Sequence, residues 1–319
     1  MRALTVDGPR SRPRLAEVPA PSPGPGELQV AVSTSAVSGL DVAIAQGRTL
    51  ELADHVFPVT LGRSFAGTVT AVGPGVERRS VGDRVFGLVL GGVVQRGAWA
   101  ERIVVPDGDL VAAIPDGVDD AVAGALGLAG VVAMNLVSAA RAAPGRELLV
   151  DGDVFGLAPI VVALAVARGA RVVATGAADD EALLREQGAH EVLDPGSDVV
   201  AALRALRPDG VDALVDLVDR DHDDFKAALG VLHEGGYAVS AFGAATGSGR
   251  PDVDVTNVFL EPNPGQLDEL ARLVADGALR VPVAATLDLA AIGEDPATWS
   301  SGPRGVRVVT VSPVAVPGA

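Results

Sequence analysis

The sequence contains no cysteine at all. That absence excludes disulfides, thiolate nucleophiles and every cysteine-ligated zinc or iron–sulfur site. Aromatic residues make up only 3% of the chain, too few for a platform on which nucleic-acid bases stack. Positive charge is also scarce: 25 Lys and Arg stand against 41 Asp and Glu, a formal charge of −16, which disfavours phosphate backbones and hence a nucleic-acid partner. Four histidines, His55, His190, His222 and His233, are scattered singly and read as surface or loop residues rather than metal ligands, so no metal is expected. The longest apolar candidate, Val154 to Ala167, has 14 residues and contains Pro159, short of a membrane span. Met1–Val6 passes directly into charged, Pro-rich sequence without the apolar core of a signal peptide. These features lead to the expectation of a cytoplasmic protein with no membrane partner.

What is present is enough apolar material, 48% of 319 residues, for two packed domains. Up to residue 118 the chain reads as short strands, Ala3–Val6, Glu27–Ser33, Ala66–Val72, Arg84–Leu90, Ala98–Val105 and Leu110–Ala113, divided by Gly/Pro turns. From Asp119 apolar strands alternate with helices. The strands are Leu148–Val150, Arg171–Ala174, Glu191–Leu193, Ala213–Asp216 and Ala238–Ala241, and the helices include Asp180–Gln187 and Asp223–Leu232. Such alternation predicts a parallel, doubly wound α/β sheet. A final helix follows Pro262-Asn263-Pro264, with Leu267, Leu270, Ala271 and Val274 on one face and Gly277 as its stop. Segments Ala284–Leu289 and Val306–Val311 then return to strand. The economical arrangement is a nucleotide-type domain, residues 119–261, inserted into a β domain made of residues 1–118 and 262–319.

Strand Leu148–Val150 runs into Asp151-Gly152-Asp153-Val154-Phe155-Gly156-Leu157-Ala158 and then an apolar helix. In a dinucleotide fold this turn sets main-chain N–H groups and the positive helix end against the diphosphate. Gly152, Gly156 and Ala158 keep the turn small. Phe155 brings bulk, and Asp151 and Asp153 bring charge of the wrong sign. The pattern is equally that of a tight turn under a closely packed helix. Thr175 and Gly176 end the second strand; neutral Thr175 leaves room for a 2′-phosphate, and Asp179-Asp180 follow.

The order and spacing of several segments resemble the medium-chain dehydrogenase/reductase superfamily, in its zinc-independent quinone oxidoreductase and enoyl reductase branch. They are Pro23-Gly24-Pro25-Gly26-Glu27, Phe57-Pro58-Val59-Thr60-Leu61-Gly62, Ala66-Gly67, Val72-Gly73-Pro74-Gly75-Val76, Val81-Gly82-Asp83-Arg84-Val85-Phe86-Gly87 and Gly97-Ala98-Trp99-Ala100-Glu101. Leu183-Leu184-Arg185 before Gly188-Ala189, Gly235-Gly236 before Val239-Ser240, and Arg304-Gly305 continue the series.

The resemblance implies a Rossmann-type domain inserted in a GroES-like β-barrel domain, and reduction of a conjugated enone or quinone with NADPH as hydride donor. It places Ser38 and Gly62-Arg63-Ser64 where zinc-dependent members carry metal ligands. It makes Ser38, Asp41 and Arg63 the candidate catalytic residues; helix or turn capping is the other reading of the first two, and an exposed or Asp-paired arginine that of the third. Gly152, Phe155, Gly156, Leu157, Thr175, Gly176, Phe242, Gly243 and Phe259 are the candidate cofactor contacts. Leu40, Leu128 and Val132 would line the substrate cleft, which suits a small hydrophobic or planar molecule. No His or Tyr stands where a general acid is expected, so water is the proton source. Relatives commonly pair as homodimers, through the stretch matching Asn257–Leu260. The other function carried by the same residues is a cofactor-free member performing a cyclisation or dehydration in a biosynthetic pathway, or a non-catalytic binder.

Overall fold

A computed structural model describes residues 1–245, 250–292, 295–296, 299 and 304–311. Its first strands are β1 (Arg2–Val6), β2 (Arg14–Glu17) and β3 (Glu27–Ala36), followed by the short helix α1 (Gly39–Ala45). Then come β4 (Asp54–His55), β5 (Val59–Thr60), β6 (Ser64–Val72), β7 (Arg84–Leu88), β8 (Val93–Val94), β9 (Arg102–Pro106), β10 (Val111–Ala113) and the long helix α2 (Asp120–Ala139). The central segment comprises β11 (Glu147–Asp151), α3 (Leu157–Ala167), β12 (Arg171–Thr175), α4 (Glu181–Glu186), β13 (Glu191–Leu193), α5 (Val199–Leu206), β14 (Val211–Asp216), α6 (His222–Ala228), β15 (Leu232–Ser240) and β16 (Asp254–Asn257). The chain returns through α7 (Gln266–Ala275), β17 (Val283–Asp288) and β18 (Val306–Thr310).

Two compact units result: Met1–Gly130 with Pro262–Asp276 and the chain from Val283 onward, and Val131–Glu261 with Gly277–Pro282. The division falls inside α2, twelve residues beyond the place where the sequence pattern changes. The reason is local: the first half of α2 is tied to β3 and β6, by Thr34 Oγ1 donating to the Asp120 carbonyl at 2.6 Å and Ser64 Oγ to the Gly124 carbonyl at 3.0 Å. Helix α2 also corrects the survey of apolar runs. It is 20 residues long with mean hydropathy 1.9, so it meets the length and composition of a span that Val154–Ala167 does not. Two thirds of its apolar window is buried, which is the environment of a core helix.

In the first unit, strands run in the order β10-β7-β6-β3-β18-β17 with β9 also on β3, while β2-β1-β5 form a smaller sheet. The two late strands thus rejoin the early ones, β18 pairing antiparallel with β3. Ala98–Ala100 is a loop and not the start of a strand, with one isolated bridge from Ala3 to Ala100, and β9 begins only at Arg102. Trp99 and Trp299 meet edge to face at 5.0 Å in the buried centre.

The second unit is a parallel sheet in the order β13-β12-β11-β14-β15-β16, the doubly wound arrangement with its switch point between β11 and β14. Every residue of α3 from Leu157 to Ala165 is buried, so the helix is apolar all round because it is covered all round. A second layer, Leu203 of α5 with Phe225 and Ala228 of α6, packs on Leu149, Val173 and Leu214 of the strands. Helix α6 ends at Ala228, a 3₁₀ turn covers Leu229–Val231, and β15 starts at Leu232; the sequence had extended the helix over that turn and begun the strand six residues later.

Candidate functional site

In open parallel sheets ligands meet the carboxyl ends of the strands at the switch point. Here that edge carries Asp151 at the end of β11, Thr175 of β12, Asp216 of β14 and Ser240 of β15, all buried. Asp151 and Asp216 are register partners across the switch point, and Arg220 joins them. Its guanidinium lies 2.6 Å from Asp151 Oδ2 and 2.9 Å from Asp216 Oδ1. Thr175 Oγ1 donates to Asp151 Oδ1 at 2.9 Å and accepts from Gly152 N at 2.7 Å. Burial pushes the Asp216 carboxyl up to about 6; the Arg220 charge and the Ser240 hydroxyl oppose this, and the charge of Asp151 adds to it.

The turn itself is fixed by two left-handed glycines, Gly152 (φ 88°) and Gly156 (φ 76°), with Phe155 also left-handed at φ 52°. A Cβ on Gly152 would lie 2.4 Å from Val218 Cγ2, so only glycine fits. Gly156 precedes the first turn of α3 and has no side chain to cap it. The capping is done instead by Asp153, whose Oδ1 accepts from Ala158 N at 2.7 Å. Among the described residues the amides of Val154, Phe155 and Gly156 make no hydrogen bond. The amino end of α3 is therefore capped by a carboxylate of its own chain.

The candidate catalytic residues lie together in the first unit. Ser38 is the N-cap of α1 in a reciprocal capping box with Asp41: Asp41 N donates to Ser38 Oγ at 3.3 Å, and Ser38 N and Oγ donate to Asp41 Oδ2 at 3.0 and 2.6 Å. Asp41 Oδ1 accepts from Gly62 N at 2.8 Å. Gly62 (φ 92°) has to be glycine, since a Cβ would sit 2.4 Å from Trp99 Cδ1. Burial pushes the Asp41 carboxyl up, countered by the Ser38 hydroxyl, the Arg63 charge and the bonded amides.

Arg63 is 4% exposed and donates to the Thr60 carbonyl at 2.8 Å and the Arg96 carbonyl at 3.0 Å. Burial lowers its pKa, with Asp41 opposing. Its NH1 and NH2 groups are committed to the main chain, while its buried Nε has no hydrogen-bond partner. Leu128 is buried, and Leu40 and Val132 are half-buried. Phe242 and Phe259 are 36% and 62% exposed, Gly243 (φ 83°) follows the end of β15, and Val258 N extends the β15–β16 ladder to Ser240 O at 2.9 Å.

Comparison with known proteins agrees with this architecture. Residues 24–116 match the family model of the alcohol dehydrogenase GroES-like domain, and residues 187–294 that of the zinc-binding dehydrogenases. The chain is 28% identical to a mycobacterial protein solved in complex with NADPH, covering 97% of this chain and 100% of that one at a TM-score of 0.83. A quinone oxidoreductase from Coxiella burnetii has the same fold: 22% identity, coverage of 98% and 99%, TM-score 0.84. The chain belongs to the medium-chain dehydrogenase/reductase superfamily. The chain is also 36% identical over 216 residues, 67% of its length, to a mycocerosic acid synthase-like polyketide synthase of Mycolicibacterium smegmatis. Over 170 residues, 53% of its length, it is 39% identical to the phthioceranic/hydroxyphthioceranic acid synthase of Mycobacterium bovis. It spans only 10% and 8% of those two curated relatives.

Zinc, implied by the family name, does not fit. Ser38 spends its hydroxyl on Asp41, and Arg63 puts a cation at the other ligand position. What sequence reading missed in this dehydrogenase/reductase chain is Arg220 and Asp216. After the strand Ala213–Asp216 come Leu217-Val218 and then Asp219-Arg220, so a basic residue four places after a strand-end acid was the available signal.

Proposed function

We propose that the chain is a zinc-independent reductase of a conjugated enone or quinone that uses a nicotinamide dinucleotide. One observation carries the reading: the switch-point end of α3 binds an anion, at 2.7 Å from Ala158 N. The donor at that place is taken by Asp153, and the neighbouring amides of Val154, Phe155 and Gly156, which make no hydrogen bond among the described residues, support the reading. Superfamily membership supports the redox class, and the solved neighbour with NADPH supports that form of the cofactor. The likeness to segments of polyketide synthases supports a conjugated carbonyl as the substrate.

The amides of Val154–Gly156 and Ala158 are the groups to hold the diphosphate, with Thr175 and Gly176 at the ribose end and the chain at Phe242-Gly243 and Val258-Phe259 at the nicotinamide end. When bound, the dinucleotide supplies the hydride. Ser38 is the polar side chain of the first unit that this reading assigns to the substrate carbonyl. Ser38 Oγ donates to Asp41 Oδ2 at 2.6 Å, and on this reading the hydroxyl exchanges that bond for one to a carbonyl oxygen as negative charge develops there. In the first unit Leu40 and Leu128 supply apolar surface for a planar substrate.

At the ribose end a Cβ on Gly176 would meet Asp180 Cβ at 3.5 Å, so acid lies close to the 2′ position and NADH is the competing form. Calorimetric titration with NADPH and NADH, paired with consumption of either by a panel of enones and quinones, tests the proposal. Saturable binding of one form with turnover supports it. Flat titrations up to millimolar concentrations of both overturn it.

A further inference from the structure

We infer that Asp153 is an internal competitor for the diphosphate: its carboxylate holds the berth at the amino end of α3 closed, and a dinucleotide enters only as Asp153 leaves. This deepens the reductase reading and rests on it. Of the amides assigned above to the diphosphate, Ala158 N is the one already occupied. Leu157 N is bonded to the Val154 carbonyl at 3.0 Å and Ala158 N to Asp153. Asp153 lies five residues before the amide it caps, on a turn whose glycines at 152 and 156 are both left-handed, so its side chain reaches back over the helix end.

Asp153 belongs to the turn, and the strand-end acids are fastened by other partners. Asp151 is bound by Thr175 and Arg220, and Asp216 by Arg220. That fastening also decides the electrostatics. The guanidinium nearest the strand ends is shared between two carboxylates, which leaves it little capacity to neutralise two more negative charges while Asp153 remains in place. Asp153 thus sets the affinity of the site: it satisfies the helix end when the site is empty and must be displaced when the site fills.

The test compares the wild type with Asp153→Ala and Asp153→Asn by calorimetric titration with NADPH, NADH and inorganic pyrophosphate, and by thermal unfolding with and without them. Asp153→Ala removes both the cap and the charge; Asp153→Asn keeps a neutral acceptor. The expected result is five- to tenfold tighter dinucleotide and pyrophosphate binding in Asp153→Ala, with a smaller gain in Asp153→Asn. Ligand-free Asp153→Ala melts below the wild type, and saturating ligand closes that gap. Wild-type affinity in both variants overturns the inference and leaves the reductase reading standing. Absence of dinucleotide binding in all three proteins overturns both. If Asp153→Ala fails to fold, Asp153→Asn decides alone: tighter binding supports competition, and unchanged binding rejects it.

Discussion

The two units each bury an aspartate–arginine group, and they use it in opposite ways. Around Asp41 two main-chain amides, of Ser38 and Gly62, reach the carboxylate beside the one side-chain donor, the Ser38 hydroxyl, and Arg63 bonds the carbonyls of Thr60 and Arg96. Around the switch point the partners are side chains, with Arg220 shared between Asp151 and Asp216, Thr175 on Asp151, and Asp153 on the end of α3. Main-chain partners cannot leave without unfolding the segment that carries them. Side-chain partners can rotate away and be replaced by a ligand. The first cluster is a clamp, and the second is a set of exchangeable contacts; the same residue types give structure in one place and a site in the other.

The sharpest way to break this contrast is Asp41→Ala. It strands two amides, a buried hydroxyl and a nearby buried guanidinium, and the expected loss is about 3–5 kcal/mol in chemical denaturation. A loss below about 1 kcal/mol places Asp41 in the exchangeable class instead.

Next comes Asp216→Asn, read against pH. The folded-state pKa of Asp216, about 6, is above its ordinary value of 3.8, so the folded protein holds this proton more tightly than the unfolded one. The stabilisation this gives is complete below pH 3.8 and is lost as pH rises to about 6. Wild-type stability relative to Asp216→Asn therefore falls through that window, by at most about 3 kcal/mol, and is level above it. A difference independent of pH contradicts the assignment.

Thr175→Val leaves Gly152 N without its acceptor and Asp151 without its hydroxyl, at an expected cost of about 1–2 kcal/mol. The smallest effect belongs to Asp153→Ala. Loss of its helix cap costs about 1 kcal/mol in the ligand-free protein, read by chemical denaturation.

Much of this was legible in the residues. The strand–helix alternation after Asp119 gave the parallel sheet because each apolar strand is bounded by turn residues and each helix has a covered face. The glycine turn was legible because no other residue takes φ 88° beside Val218. The carboxylates at 151 and 153 stood out by charge alone. What sequence did not disclose is pairing: that Asp153 reaches its own helix, that Arg220 joins Asp151 to Asp216 from 69 residues away, and that Arg63 faces carbonyls. These depend on side-chain direction and register, which spacing along the chain does not encode. The limits of α6 and β15 were missed for a related reason. Leu229–Val231 is apolar enough for either helix or strand, and only packing against Leu203 and Leu149 selects a 3₁₀ turn.

The edge-to-face pair of Trp99 and Trp299 has a practical consequence. The chain has two tryptophans, both in the first unit, and its one tyrosine, Tyr237, lies in the second with the Arg141 guanidinium 3.9 Å above its ring. Indole emission is thus a built-in reporter for one half of the molecule alone. Melting followed by that light, set beside melting followed by far-ultraviolet dichroism of the whole chain, separates the unfolding of the two halves without any label being attached.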